Sequence, residues 1–228
     1  MIRVKVFGDK GRMSALIRDE VMIQEGFSLV HEEMDVGIDF THASCLKNHL
    51  QFQKPLVIGT TDLSDDDMKM ILEFSKIQKV FYSPNTSLGI AALKHALKST
   101  AEMLHKTHVP EIHELHHGLK KDAPSGTALM IARYLQDLDL GWTNTKDYQE
   151  NPRRTSNDIG ISVNRGGMGY SAHTVSFISE TDMFELKCHN WNPKVYASGA
   201  LKAASFLMNL KEKTGFYTMD DLLTSFQK

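Results

Sequence analysis

Cysteine is scarce in this sequence: only Cys45 and Cys188 occur in 228 residues. Two unpatterned cysteines exclude a disulfide framework and a cysteine-built metal site. No apolar run approaches the ~20 residues that a membrane helix needs. Neither sign of charge is in excess, since 26 Lys and Arg against 28 Asp and Glu leave a formal net charge of −2. No basic field therefore argues for nucleic acid, and no acidic tail argues for disorder. The opening stretch Ile2–Phe7 alternates apolar and polar residues and lacks the form of a secretory signal. The expectation is a cytoplasmic protein without membrane or nucleic-acid partners. What is present, 41% hydrophobic and 24% charged residues, is the balance of an ordinary globular chain.

Strand-like and helix-like segments alternate through the first half. Ile2–Phe7 reads as a strand and Arg12 to about Gln24 as an amphipathic helix. Short apolar runs follow at Val36–Phe40, Leu56–Gly59 and Val80–Ser83. A helix is expected from Ser64, capped through Asp67 and burying Met68, Ile71 and Leu72, and another from about Leu88 to Lys106. This alternation favours a parallel sheet covered on both faces. Phe27–Val30 breaks the scheme, because about five residues separate it from Val36, whereas a parallel crossover needs roughly a dozen. It is either an antiparallel edge strand or the mark of a deleted crossover helix.

The second half differs. Glu111–His117 reads as a strand, Gly126–Leu138 as a helix and Trp142–Asp158 as a loop. Ile159–Asn164, Ala172–Ser179 and Met183–Cys188 are strands without helices between them, which suggests an antiparallel or mixed sheet. Helices close the chain at about Tyr196–Lys213 and Met219–Phe226. Two domains are expected, with a boundary near Val109–Pro110.

Four segments carry chemistry. Gly8–Ser14 (GDKGRMS) lies between a strand and a helix, where backbone amides and a helix N-terminus can meet a pyrophosphate; Lys10 and Arg12 add positive charge. Ser14 stands where the dinucleotide fingerprint wants a third glycine. Glu32 and Glu33 fall near the distance at which an acidic residue binds an adenosine ribose. The loops Gly59–Asp62 and Ser83–Ser87 follow strands, the usual place for ligands in open parallel sheets, although their residues are also ordinary turn formers. Glu114–Ala128 (ELHHGLKKDAPSGTA) gathers two imidazoles, two ammonium groups and a helix start capped by Ser125. A helix N-terminus opened by Gly126 favours a carboxylate, Lys120 or Lys121 can neutralise a second one, and a histidine can donate a proton. His113, His116 and His117 find no second cluster to complete a metal site, so no metal is expected. His42, His49, His95, His105 and His108 are expected on surfaces of helices or loops.

With these residues the chain resembles the dihydrodipicolinate reductase family along nearly its whole length. The matching stretches are GDKGRM, DVGIDFTH, PLVIGTT, SPNTSLG, ELHHGLKKDAPSGTA and RGGMGYSAHTVSF. The resemblance implies an α/β chain: a Rossmann-like parallel-sheet cofactor domain, residues 1–109, and a smaller α+β mixed-sheet domain for substrate and oligomerisation, residues 110–204, with 205–228 returning to the first. It implies reduction of a small cyclic dicarboxylate by NADH or NADPH, the hydride going to C4 and the proton to C3. By that resemblance His116 is the proton donor, Lys120 works beside it, His117 contacts substrate, and Gly126 and Thr127 hold a carboxylate. Cofactor contacts would be Gly8, Asp9, Lys10, Gly11, Arg12 and Met13, then Gly59, Thr60 and Thr61, then Ser83, Pro84, Asn85 and Thr86. The family also implies a homotetramer. The chain departs from the family pattern at Ser14, at Thr86 where phenylalanine is usual, at Asp62 where glycine is common, and in the shortened segment after the first helix.

Overall fold

The computed structural model describes residues 1–146, 153–167 and 170–227. Met168 and Gly169 of the RGGMG stretch, and residues 147–152 of the polar stretch expected as a loop, lie outside the described residues. In chain order the first elements are β1 (Ile2–Val6), α1 (Arg12–Ile23), β2 (Phe27–Leu29), β3 (Val36–Asp39), α2 (Leu46–Leu50), β4 (Leu56–Ile58), α3 (Asp65–Ser75) and β5 (Lys79–Tyr82). Next come α4 (Leu88–Leu104), β6 (Val109–His116), α5 (Gly126–Asp137), β7 (Asn144–Lys146), β8 (Asp158–Arg165), β9 (Ser171–Ile178) and β10 (Met183–Asn190). The last are α6 (Lys194–Asn209), β11 (Gly215–Tyr217) and α7 (Met219–Ser225).

The chain divides into two compact units, Met1–Leu88 with Pro193–Lys228, and Gly89–Asn192. The division falls earlier than the expected Val109–Pro110 because α4 belongs to the second core. Its Ile90, Leu93, Leu97 and Ala101 are buried with Ile112, Ile131, Ile159, Val175 and Phe177. At the other end the first unit takes all of α6, not only residues 205 onward, because α6 packs against β3, β4, β5 and α1.

The first unit is a six-stranded parallel sheet in the order β11-β5-β4-β3-β1-β2. β3, β4 and most of β5 are buried runs rather than alternating ones, as a sheet covered on both faces requires. The Ser64–Asp67 capping box forms with both arms, and α3 buries Ile71 and Phe74, while Leu72 faces solvent. β11, a short parallel edge strand beside β5, was not expected. Of the two readings of β2, the parallel strand with a deleted crossover helix holds, and the antiparallel edge does not.

The register explains how β2 reaches β3 without a helix. Leu29, the last residue of β2, and Val36, the first of β3, both lie opposite Val4 of β1. The chain therefore needs only to step sideways across β1, with no return along the strand. The connecting strap lies over the face that carries Arg3 and Lys5. Arg3 pairs with Asp35 at 2.8 Å and Glu33 at 3.4 Å, and the Lys5 ammonium donates to the His31 carbonyl at 2.7 Å. Half-exposed pairs of this kind contribute little stability each; the stagger of the strands makes the shortcut possible.

The second unit is a mixed sheet in the order β10-β9-β6-β8-β7. β6 runs parallel to β8 and antiparallel to β9. Residues 144–146, expected within a loop, pair with β8 as a short parallel strand. No described helix is long and apolar enough to cross a membrane.

Candidate active site

β6 alternates along its length, and Pro110, Ile112, Glu114 and His116 are its buried side chains. Sheet register does the rest. Glu114 lies opposite His173 on β9, and His116 lies opposite Arg165 on β8 and Ser171 on β9. Around Glu114, a fully buried carboxylate, the polar groups converge. Both its oxygens accept from the Ser125 backbone amide at 3.1 Å, and Arg165 donates to Oε1 at 2.9 Å. The His116 Nδ1 and the His173 Nε2 each stand 3.8 Å from Oε2. The two rings meet edge to face with centroids 5.2 Å apart, and Ser125 Oγ is 3.3 Å from His173 Nε2. The Nδ1 atoms of both histidines are buried without a hydrogen-bond partner.

The charges set one another. Burial works against ionising Glu114, yet the hydrogen bonds from Ser125 and Arg165 outweigh it and hold the carboxyl below its usual range. Burial pushes His116 below an ordinary imidazole, with the cations Lys120 and Arg165 adding to the shift and Glu114 opposing it. Burial pushes His173 down further, to about 4.

His173 thereby has a consequence for stability. Between its ordinary 6.5 and about 4, the unfolded chain takes up a proton that the folded protein refuses. Stability should fall as pH drops through that window, by up to about 3 kcal/mol, and level off below it. Urea unfolding at pH 7 and pH 4.5 measures this, and His173→Gln should lose less than the wild type. An equal loss in both proteins would remove His173 as the cause.

The helix start is built as expected. Ser125 caps α5, its Oγ accepting from the Ala128 amide at 3.1 Å. Gly126 occupies the first helical position, and a Cβ there would meet no atom within 4 Å, so a carboxylate can approach that helix end. Lys120 pairs with Asp122 at 2.8 Å, and the turn that carries it closes from the Lys120 amide to the His117 carbonyl. Lys121 is exposed. Glu114, His116 and His173 also have the composition of a metal site, their ligand atoms lying within 4.8 Å of one another. Arg165 already places a cation on that carboxylate and Ser125 occupies both oxygens, which disfavours a second cation.

In the first unit, Gly8 has φ +85°, the left-handed region that glycine adopts without penalty, and a Cβ there would strike the Thr41 side chain at 2.7 Å. Ser14 fits where a third glycine is usual because its hydroxyl turns inward to the Phe7 carbonyl at 2.8 Å. Arg18, which sequence reasoning passed over, clamps the loop from α1 by donating to the Gly8 and Asp9 carbonyls at 3.1 and 2.9 Å. Asp9, Lys10, Gly11 and Arg12 are exposed, and Met13 is half-buried. α1 opens at Gly11 with no side-chain cap and no acidic residue in its first turn, an arrangement suited to a phosphate. Beside this loop a cavity of ≈560 Å³ is lined by Asp9, Arg18, Leu29, Glu32, Glu33 and Phe52, among others. Glu32 and Glu33 are both part of that lining.

The remaining loops divide. Thr60 is buried with its hydroxyl unpartnered, as a residue awaiting a ligand would be. Gly59 is glycine for packing, since a Cβ there would sit 2.2 Å from the Phe40 ring. Thr61 is exposed and donates to Asp62, whose φ of +57° explains why glycine is common there. Ser83 and Asn85 bond within their own loop, Ser83 Oγ to the Asn85 carbonyl at 2.6 Å, and Pro84 is exposed. Thr86 also has a structural duty. It is fully buried, and its hydroxyl donates to the Tyr196 carbonyl at 2.7 Å, so that hydroxyl anchors α6. His49 and His108 are also not surface groups. His49 bonds Asp39 at 2.6 Å and stacks on Phe7, and His108 is buried against Asp182 at 3.0 Å.

Two family models cover almost all of the chain: dihydrodipicolinate reductase, N-terminus, over residues 6–86, and dihydrodipicolinate reductase, C-terminus, over residues 89–223. The chain belongs to the dihydrodipicolinate reductase family. The 4-hydroxy-tetrahydrodipicolinate reductase of Clostridium novyi (strain NT) is 33% identical over 252 residues, covering 99% of each chain. That of Caldanaerobacter subterraneus is 38% identical over 200 residues, 85% of this chain and 78% of the relative. Among solved structures, a dipicolinate-bound dihydrodipicolinate reductase from Paenisporosarcina sp. TG-14 superposes with a TM-score of 0.78 at 20% identity, covering 96% of this chain and 97% of that one. At that identity the superposition establishes the family fold alone, a Rossmann-like parallel sheet followed by a second, mixed one. The junction between the two family models, at residues 86–89, coincides with the division of the chain into units.

Proposed function

We propose that this chain reduces 4-hydroxy-tetrahydrodipicolinate, with NADH or NADPH as cosubstrate, in the route to diaminopimelate and lysine. The observation that carries the reading is the site on the second unit. A buried titratable imidazole, a lysine and an open helix N-terminus lie within one short stretch, as an anionic ring requires. In the first unit the uncapped start of α1, the exposed cations Lys10 and Arg12, and the orphaned Thr60 hydroxyl fit a dinucleotide. Bound nicotinamide supplies a hydride for C4 of the ring.

The protein's own residues do the rest. Gly126 and Thr127 at the start of α5 hold one substrate carboxylate, with His117 as a neighbouring contact. Lys120 exchanges Asp122 for substrate and adds positive charge. His116 donates the proton to C3. Because burial and two cations disfavour protonated His116, binding of a dianion raises its proton affinity at the moment the proton is needed. By the same reading the protein is a cytoplasmic homotetramer, which sedimentation and cell fractionation would check.

Steady-state reduction of enzymatically generated 4-hydroxy-tetrahydrodipicolinate, run with NADH and with NADPH, tests the proposal. Substrate-dependent oxidation of either cofactor supports it, and the ratio of rates gives the preference. Folded protein that oxidises neither refutes it. Lys120→Ala should raise the substrate KM by about tenfold and lower kcat as well, since a charge-assisted contact contributes roughly 1.5–3 kcal/mol. Unchanged constants would shift the role to Lys121 or to neither.

A further inference from the structure

We infer that Glu114 is a positioning residue of this site: one buried carboxylate fixes the start of the carboxylate-binding helix and the orientation of the His116 ring together. The inference rests on the reductase reading and deepens it. Glu114 is held at both oxygens by the Ser125 amide, the residue that caps α5, so the helix end and the strand carrying His116 share one anchor. Arg165 closes the other side at 2.9 Å. His116 Nδ1 faces the same carboxylate at 3.8 Å, beyond hydrogen-bond range, and is buried with no other partner. A neutral carboxamide at position 114 would keep the shape and lose the attraction.

The groups that face His116 are Glu114 on its own strand, Lys120 and Asp122 in the following loop, Arg165 at the end of β8 and His173 on β9. Glu114 is the buried anion among them, opposed by two cations. Its charge keeps His116 protonatable at the pH where the enzyme works, and its reach holds the helix end for substrate. These two roles separate by mutation. Glu114→Gln removes charge at constant length. Glu114→Asp keeps charge and retracts the oxygens from the Ser125 amide.

A proton donor is active in its protonated form, so kcat falls as pH rises through its pKa. In Glu114→Gln that alkaline limb should move to lower pH by about one unit or more, a tenfold loss of protonated His116 on the limb. In Glu114→Asp the limb should stay near the wild-type position while the substrate KM rises severalfold. Equal limbs and equal KM values in folded variants would overturn the inference and leave Glu114 a packing group. The wild-type protein supplies a measurement independent of folding and of turnover. Imidazole ¹⁵N shifts should show neutral His116 carrying its proton on Nδ1, toward Glu114. An Nε2–H tautomer overturns the inference even if the reductase assay succeeds, and an Nδ1–H tautomer supports it even if that assay fails.

Discussion

His116→Gln should lower kcat by ~100-fold or more while leaving nicotinamide cofactor affinity within about twofold. The expected size follows from what the side chain does. It is the buried imidazole on the strand that leads into the Lys120 turn and the α5 start, and its proton affinity is lowered first by burial, then raised by Glu114 and lowered by Lys120 and Arg165. Glutamine keeps a polar group of similar bulk in the pocket but has no proton to give at neutral pH. Because the loops proposed to hold the cofactor belong to the other unit, the loss should fall on kcat rather than on dinucleotide binding. Stopped-flow measurement of hydride transfer, with the dissociation constant read from nicotinamide fluorescence, separates the two. Near-normal turnover would take His116 out of the proton-donor role.

Gly199→Ala should destabilise the protein by about 3 kcal/mol, at or beyond the upper end of ordinary overpacking. A Cβ at Gly199 would lie 1.8 Å from the Thr86 carbonyl oxygen and 2.8 Å from its carbon, and backbone cannot rotate away as a side chain can. The same loop is tied to the first turn of α6 through the Thr86 hydroxyl. Gly126→Ala makes the instructive contrast. Nothing lies within 4 Å of its Cβ, so its stability should change by no more than about 0.5 kcal/mol, whereas the substrate KM should rise because the methyl stands at the approach to the helix end. Urea unfolding and steady-state kinetics on both variants check the pair. A stable Gly199→Ala would mean that α6 can slide away from the loop without loss.

Both are helical glycines that follow a serine, and the sequence around them does not say what a Cβ would meet. Much of the frame was nevertheless legible. The strand, glycine turn and helix from Ile2 to Ile23 follow from period 2 giving way to period 3.6, and the Ser64 capping box follows from its spacing to Asp67. The start of α5 at Ser125–Gly126 was readable for the same reason: a cap and a helix end are local chemistry. Glu114 was hidden in plain view, two residues before His116. The period of a strand places them on one face, but a glutamate on a strand is ordinarily solvated. Arg165 and His173 lie far along the chain, and only the pairing of β6 with β8 and β9 brings them to that carboxylate.

The short segment after α1 shows where local reasoning stops. Counting residues correctly ruled out a crossover helix between β2 and β3, but the count could not choose between an antiparallel edge and a shortened parallel step. The stagger that sets both Leu29 and Val36 against Val4 chose the latter. β11 was missed because three residues carry too little period to read, and its pairing is supplied by the open edge of β5. The anchoring of α6 by the Thr86 hydroxyl was likewise not readable, because Tyr196 lies 110 residues further along the chain.

Residue order by itself determined the longer strands and helices, where the glycine turn and the α5 cap fall, and which side chains have the chemistry to bind an anion or carry a proton. Those properties depend on neighbours a few residues away, through backbone dihedrals, side-chain period and capping. Tertiary structure alone decided the sheet order, the division at Leu88/Gly89, the packing duty of Gly59, Thr86 and Gly199, and the assembly of Glu114, Arg165 and His173 around His116. Each of those depends on which distant strand becomes the neighbour, and in a sheet that choice is made by register and burial over the whole unit.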